Sequence, residues 1–89
     1  MVKILIVDDS VFMRTVIRDM LIKDPAIEIV GTSSNGIDAL EKINSLKPDL
    51  VTLDIEMPKM DGLEVLRELQ KSTRFVNLTD NPRLRIVFN

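Results

Sequence analysis

Two patterns of apolar and polar residues alternate along this chain, one typical of buried strands and the other of amphipathic helices. Short, nearly continuous runs of leucine and β-branched residues predict strands covered on both faces, and these runs are 3–7, 28–31 and 50–53. Segments with apolar residues every three or four positions follow each run and predict helices at about 10–23, 34–46 and 63–71. In the last of these helices, Leu63, Leu66 and Leu69 are expected on the inner face.

Polar residues mark where these helices begin and end. Ser10 is placed to cap the first helix, and either Ser34 or Asn35 is placed to cap the second. The residue before a proline disfavours helix, so Asp24-Pro25 and Lys47-Pro48 are expected to end them. Three strands that alternate with three helices predict an α/β fold, a doubly wound parallel sheet with right-handed crossovers.

Acidic residues follow two of the predicted strands, at the point where each strand ends. Asp8 and Asp9 follow the first strand, and Asp54 follows the third. With the strand order 2-1-3, the first and third strands are neighbours and their carboxyl ends meet, which is where doubly wound sheets bind ligands. We therefore expect the three carboxylates to converge at one site.

Composition limits the chemistry that this site can perform. The chain has 89 residues, 45% of them hydrophobic and 29% charged, which predicts one small globular domain. It contains no cysteine and no histidine, which excludes thiolate and imidazole nucleophiles and the usual zinc sites. A net charge of -2 and only three aromatic residues argue against nucleic-acid binding. No stretch is long enough to span a membrane, so the expected location is the cytoplasm.

Three clustered carboxylates repel one another unless a cation neutralises them, and an all-oxygen ligand set favours Mg²⁺ over zinc or copper. With a cation present, a carboxylate at a strand tip can attack phosphorus as a nucleophile. Asp54 is the candidate nucleophile because it stands alone on its strand and faces the Asp8-Asp9 pair. The alternative is that all three are loop acids or helix caps, and their spacing alone leaves both interpretations open.

The segments ILIVDDS, VGTSSNGIDALE and KPDLVTLDIEMPKMDGLEVL resemble the receiver domain of response regulators, over about residues 3–71. The phrase VTLDIEMPKMDG is most similar to the receiver of the chemotaxis protein-glutamate methylesterase. The resemblance implies a flavodoxin-like fold and a two-component signalling receiver that takes phosphate from a histidine kinase. It implies Asp54 as the phospho-acceptor, and Asp8, Asp9, Asp54 and the backbone carbonyl of Glu56 as the Mg²⁺ ligands. Such a receiver promotes its own phosphorylation but turns over no separate substrate.

The resemblance weakens after Lys71, so we divide the chain into a receiver-like unit, 1–71, and an atypical tail, 72–89. Because receivers normally continue with two further strand-helix units, the chain is expected to be a truncated receiver. The tail carries two strand-like patches, 74–78 and 84–88, which are expected to complete the sheet or mediate dimerisation. Thr79 is the candidate for the family's hydroxyl switch residue, although an ordinary turn threonine fits equally well. No lysine matches the one that ends the family's fifth strand, and Arg83 or Arg85 is the candidate substitute.

A short parallel sheet leaves an open edge and exposed apolar surface, which predicts a homodimer or a dimer that exchanges elements. Two other functions remain open at this stage. One is a half-receiver that is not phosphorylated and acts as a dimerising interaction module. The other is a phosphatase that uses Asp54 as nucleophile and Glu56 as an imperfect acid-base group.

Overall fold

The computed structural model describes residues 1–57, 61–71 and 84–89, except for the side chains of Leu66, Leu69, Gln70 and Lys71. The strands are β1 (Val2–Val7), β2 (Ile27–Ser33), β3 (Leu50–Leu53) and β4 (Arg85–Phe88). The helices are α1 (Val11–Leu21), α2 (Gly36–Leu46) and α3 (Gly62–Lys71). The strands and helices predicted within the described residues are therefore present, with ends shifted by one or two residues.

The described strands form one parallel sheet in the order β2-β1-β3-β4. The predicted order 2-1-3 and the doubly wound α/β architecture are confirmed. The second patch of the tail pairs with β3 as β4, whereas the first patch, 74–78, lies outside the described residues. In the pairing of β1 with β2, the register shifts between Ile4 and Leu5, where Val30 is the extra residue on β2.

Successive residues of β1 face opposite sides of the sheet and enter two separate hydrophobic clusters. Leu5 and Val7 pack with β3 and with buried residues of α2 and α3, whereas Ile4 and Ile6 pack with Ile17 of α1. One face of the sheet is thus covered by α2 and α3, and the other by α1. This explains why β1 is apolar at four consecutive positions.

The predicted helix caps form. The Ser10 hydroxyl accepts a hydrogen bond from the Met13 backbone nitrogen at 3.2 Å. The Asn35 side-chain oxygen accepts from the Asp38 backbone nitrogen at 2.9 Å, which identifies Asn35 rather than Ser34 as the cap of α2. Both contacts satisfy an N–H group that has no partner within the helix.

The prediction that Leu63 lies on the inner face of α3 is wrong. Its side chain is 51% exposed, and Val65 is the residue of this helix that packs fully buried against the sheet. The reason is the position of Gly62, which is buried and lies three residues before Val65 on the same helix face. Leu66 and Leu69 have side chains outside the described set.

None of the helices among the described residues is both long and apolar enough to cross a lipid bilayer.

Candidate functional site

The residues that directly follow β1, β3 and β4 form a row along the carboxyl edge of the sheet. Val7 is in register with Leu53, and Leu53 with Phe88. The next residues are Asp8, Asp54 and Asn89, and each still donates its backbone N–H to the neighbouring strand, at 3.0 Å in every case. Since directly paired residues of a parallel sheet project to the same side, these three side chains point the same way.

Asp8 is the most constrained side chain of the row and is only 4% exposed. Its Oδ1 atom accepts a hydrogen bond from the Ser10 backbone nitrogen at 2.9 Å, and its Oδ2 atom accepts from Asn89 Nδ2 at 3.5 Å. Arg14 donates from its guanidinium to the Asp8 carbonyl at 2.7 Å. These contacts fix the orientation of a buried carboxylate that lacks a salt-bridge partner among the described residues.

Asp8, Asp9 and Asp54 come together as the sequence predicted. Each offers one carboxylate oxygen, and these oxygens lie within 4.8 Å of one another. Asp9 is exposed and Asp54 is half-buried, so solvent reaches the cluster. This all-oxygen geometry suits a hard divalent cation that retains some of its water ligands.

The pKa of Asp54 also indicates a site where a cation would be stabilising. Burial raises the pKa of the Asp54 carboxyl above its ordinary value of 3.8, and the negative charges of Asp8 and Asp9 raise this pKa further. The backbone N–H of Glu56, which donates to Asp54 Oδ1 at 3.2 Å, partly offsets both effects. Ionisation of Asp54 is therefore less favourable than that of a free aspartate, and a positive charge beside it, which Mg²⁺ would supply, opposes this effect.

The start of α3 holds the backbone of Asp54 from the other side. The Gly62 backbone nitrogen donates to the Ile55 carbonyl at 2.9 Å. A Cβ atom at position 62 would lie 2.5 Å from the Asp54 carbonyl oxygen and 2.9 Å from Ile55 Cα, so only glycine fits. Asp61 and Glu64 exchange backbone and side-chain hydrogen bonds as a capping box, which fixes where this helix begins.

A cleft of about 480 Å³ opens next to the carboxylates. Its lining residues are Asp9, Ile55, Glu56, Met57 and Asp61. The Glu56 side chain is exposed, and the role predicted for its backbone carbonyl as a metal ligand remains a prediction. Asp9 belongs both to the carboxylate cluster and to the lining of this cleft, so the cluster is open to solvent on that side.

The positively charged groups predicted for the tail do not reach this site in the described residues. Arg85 is in register with Leu50 at the amino end of β3, opposite the carboxyl edge that carries Asp54. The prediction that Arg85 substitutes for the family's lysine is therefore wrong. The cause is the strand direction, because a parallel strand that begins at Arg85 carries its first side chain away from the site. Thr79 and Arg83 lie outside the described residues.

Sequence reasoning missed two residues of the site, Asn89 and Arg14. Asn89 is the polar residue that directly follows a strand-like patch, which is the signal that identified Asp8 and Asp54. Arg14 lies one helical turn after Ser10, on the side of α1 that returns to Asp8. No spacing rule identifies it, since its partner is a backbone carbonyl rather than a side chain.

Comparisons with known proteins identify the family and the fold. Residues 4–85 match the family described as "Response regulator receiver domain". The chain is 56% identical over 75 residues, 84% of its length, to a protein-glutamate methylesterase/protein-glutamine glutaminase of Methanospirillum hungatei. These 75 residues make up 22% of that relative, so the chain spans about a fifth of the curated protein.

Two solved structures are also similar. The response regulator domain of CheB from Thermotoga maritima has a TM-score of 0.80 and 36% identity, covering 98% of this chain and 58% of that one. A chain of the CheX-CheY-BeF3-Mg²⁺ complex from Borrelia burgdorferi has a TM-score of 0.74 and 31% identity. The match covers 98% of this chain and 60% of that one.

Proposed function

This chain belongs to the response regulator receiver family, and from that premise we propose that Asp54 is the residue on which it accepts a phosphoryl group. Receivers of two-component systems accept phosphate on an aspartate with Mg²⁺ and are phosphorylated by histidine kinases. The observation that carries the assignment to Asp54 is its position in the middle of the strand-end row, with Asp8 and Asp9 beside it.

The transfer needs little from the protein beyond position and charge. A carboxylate oxygen of Asp54 attacks phosphorus, the bond from phosphorus to the donor breaks, and the donor leaves with that electron pair. The donor fragment is an imidazole when the phosphate comes from a histidine kinase and acetate when it comes from acetyl phosphate. The Glu56 N–H bonded to Asp54 Oδ1 orients the carboxylate so that its other oxygen is available.

We assign Asp8, Asp9 and Asp54, with the Glu56 backbone carbonyl, as the residues that hold Mg²⁺. When bound, the ion supplies the positive charge that stabilises the oxygens of the transferring phosphoryl group. The described contacts of Asp8 leave its carboxylate fixed in orientation before the ion arrives, which lowers the cost of assembling the ligands. The similar complex from Borrelia burgdorferi contains Mg²⁺, which supports this assignment.

The family match favours a phospho-accepting receiver over the dimerising half-receiver that the sequence left open. The division at Lys71 and the predicted homodimer remain proposals. The position of β4 supports the homodimer. It is the last described strand on its side of the sheet, and it exposes Val87 and Phe88. Size-exclusion chromatography with light scattering tests the dimer, and a monomer at micromolar concentration contradicts it.

Acetyl phosphate provides the direct test of the Asp54 assignment. The protein is incubated with acetyl phosphate and Mg²⁺, and intact-mass spectrometry follows the addition of one phosphoryl group. We expect the adduct in the wild type and none in Asp54→Asn, and chelation of Mg²⁺ should prevent its formation. Glu56→Gln is the matched control because it removes an exposed carboxylate two residues away without touching the row.

The outcomes separate the remaining functions. An adduct in both the wild type and Glu56→Gln, absent from Asp54→Asn, supports the receiver. Continuous release of inorganic phosphate that Glu56→Gln slows would identify a phosphatase instead. A wild type that gains no phosphate with Mg²⁺ present would overturn the proposal.

A further inference from the structure

The start of α1 holds Asp8 at two separate atoms. The Ser10 backbone nitrogen donates to Asp8 Oδ1 at 2.9 Å, and Arg14 Nη1 donates to the Asp8 carbonyl oxygen at 2.7 Å. The Arg14 backbone nitrogen in turn donates to the Ser10 carbonyl at 3.0 Å, so both donors belong to one hydrogen-bonded turn. The carboxylate of Asp8 and the peptide group that follows it are therefore fixed relative to each other.

The guanidinium contact also controls the position of Asp9. The Asp8 carbonyl and the Asp9 N–H belong to the same planar peptide group, so a donor bound to that carbonyl fixes the plane from which Asp9 projects. Asp9 is exposed, and it forms no salt bridge with any residue in the described part of the chain. The position of its carboxylate beside Asp8 and Asp54 therefore depends mainly on its own backbone.

Arg14 does not pair with the carboxylates of the cluster. It takes part in no salt bridge within residues 1–57, 61–71 and 84–89, and its described side-chain hydrogen bond goes to a backbone carbonyl. A positive charge near a cation site weakens cation binding by repulsion, whereas an ordered ligand backbone strengthens it. The charge and the hydrogen bond of Arg14 therefore have opposite expected effects on a bound cation, and the two can be separated by experiment.

We propose that Arg14 is a positioning residue that makes this site selective for Mg²⁺ over Ca²⁺. The proposal rests on the proposed function, because it requires the cation to bind at Asp8, Asp9 and Asp54. Mg²⁺ demands nearly octahedral oxygens at about 2.0–2.1 Å, whereas Ca²⁺ accepts more oxygens at about 2.3–2.6 Å in irregular arrangements. With Arg14 in place the Asp8-Asp9 peptide keeps its ligands at one spacing, and without it they relax toward the wider spacing that only Ca²⁺ tolerates.

The proposal predicts that the two ions respond differently to changes at position 14. Arg14→Met keeps an unbranched side chain but removes the donor and the charge, so Mg²⁺ affinity should fall about tenfold, as for the loss of a group that orients a metal ligand. Ca²⁺ affinity should change by less than about twofold, since Ca²⁺ tolerates irregular geometry. Arg14→Lys retains a cationic donor and should recover most of the Mg²⁺ affinity.

The experiment measures both ions on the whole chain. Isothermal titration calorimetry with magnesium chloride or calcium chloride gives the two dissociation constants, and thermal unfolding without added metal reports on the fold. Arg18→Met is the matched control, because it removes the same charge from the same helix and its salt-bridge partner is Asp19 rather than the site. We expect it to match the wild type in the ratio of the two constants. Arg14→Gln, whose amide is too short to reach as far as Nη1, is a second variant with the same expected result as Arg14→Met.

A selective loss of Mg²⁺ binding in Arg14→Met, with recovery in Arg14→Lys, would support the proposal. Tighter binding of both ions in Arg14→Met would overturn it, because Arg14 would then act only through its charge. Equal weakening of both ions would overturn it as well, since a defect in the fold lowers both affinities together, and so would unchanged constants. If the wild type itself binds no Mg²⁺, the proposed metal site fails, which is a different result from all of these.

Discussion

Gly62→Ala should damage the site by pushing Asp54 out of position. Ordinary Cβ contacts begin at 3.4 Å, and the new methyl group would lie 2.5 Å from the Asp54 carbonyl oxygen, so the two must separate by about 0.9 Å. Displacing a reacting group by about 1 Å can slow a reaction ~100-fold. We therefore expect phosphorylation of Asp54 to fall by about that factor and Mg²⁺ affinity to fall with it.

The effect on stability should be smaller than the effect on the site. Forcing a methyl group into a packed backbone contact costs about 1–3 kcal/mol, whereas replacing glycine by alanine in a helix returns about 1 kcal/mol. The expected net loss is about 1 kcal/mol, or a fall in Tm of roughly 4–8 °C for a domain of this size. Thermal unfolding measures the stability, calorimetry measures the Mg²⁺ affinity, and the acetyl phosphate assay measures the phosphorylation rate.

Val65→Ala is the matched control. Val65 is fully buried on the same face of α3, and removing two methyl groups there costs about 2 kcal/mol. It does not contact the Asp54 backbone in the way that Gly62 does, so the control should lose stability and keep Mg²⁺ affinity. The reasoning is refuted if Gly62→Ala retains the wild-type metal affinity and rate, or if Val65→Ala loses them equally.

Two further predictions concern α2. Lys42, whose ammonium lies 3.0 Å from Asp38 Oδ2, lowers the pKa of the Asp38 carboxyl below 3.8. The stability that this pair contributes is therefore present above pH 3.8 and is lost as the pH falls through the lowered pKa. The Tm of the wild type should fall over this acidic range, and the Tm of Asp38→Asn should not show that part of the fall. Asn35→Ala removes the helix cap and should cost about 1 kcal/mol in urea unfolding, and an unchanged midpoint would contradict the assigned cap.

The strand order and the acidic cluster could be predicted because both depend on simple rules. Continuous apolar runs identify strands buried on both faces, and parallel connectivity places the ends of the first and third strands side by side. Asp8 and Asp54 then follow from reading the next polar residue after each run. The spacing of these acids left their role open, and the resemblance to receiver domains supplied it.

The errors arose where a position depends on tertiary contact. The helical spacing of α3 fits Leu63 as well as Val65, and the close approach of Gly62 to the Asp54 carbonyl decides between them. Likewise, Arg85 had the right charge but sits at the wrong end of its strand, which only the pairing register reveals. Asn89 was missed because the strand before it was not assigned to a place in the sheet.

The row of strand-end residues has a consequence for how the protein folds. Its members come from distant parts of the chain, so they meet only after the non-local pairings of β1, β3 and β4 have formed. Contacts of high sequence separation form late, because loop closure costs entropy before the contacts repay it. A cation held by such a row adds interactions that are absent from the folding transition state, and it should slow unfolding while leaving the folding rate almost unchanged.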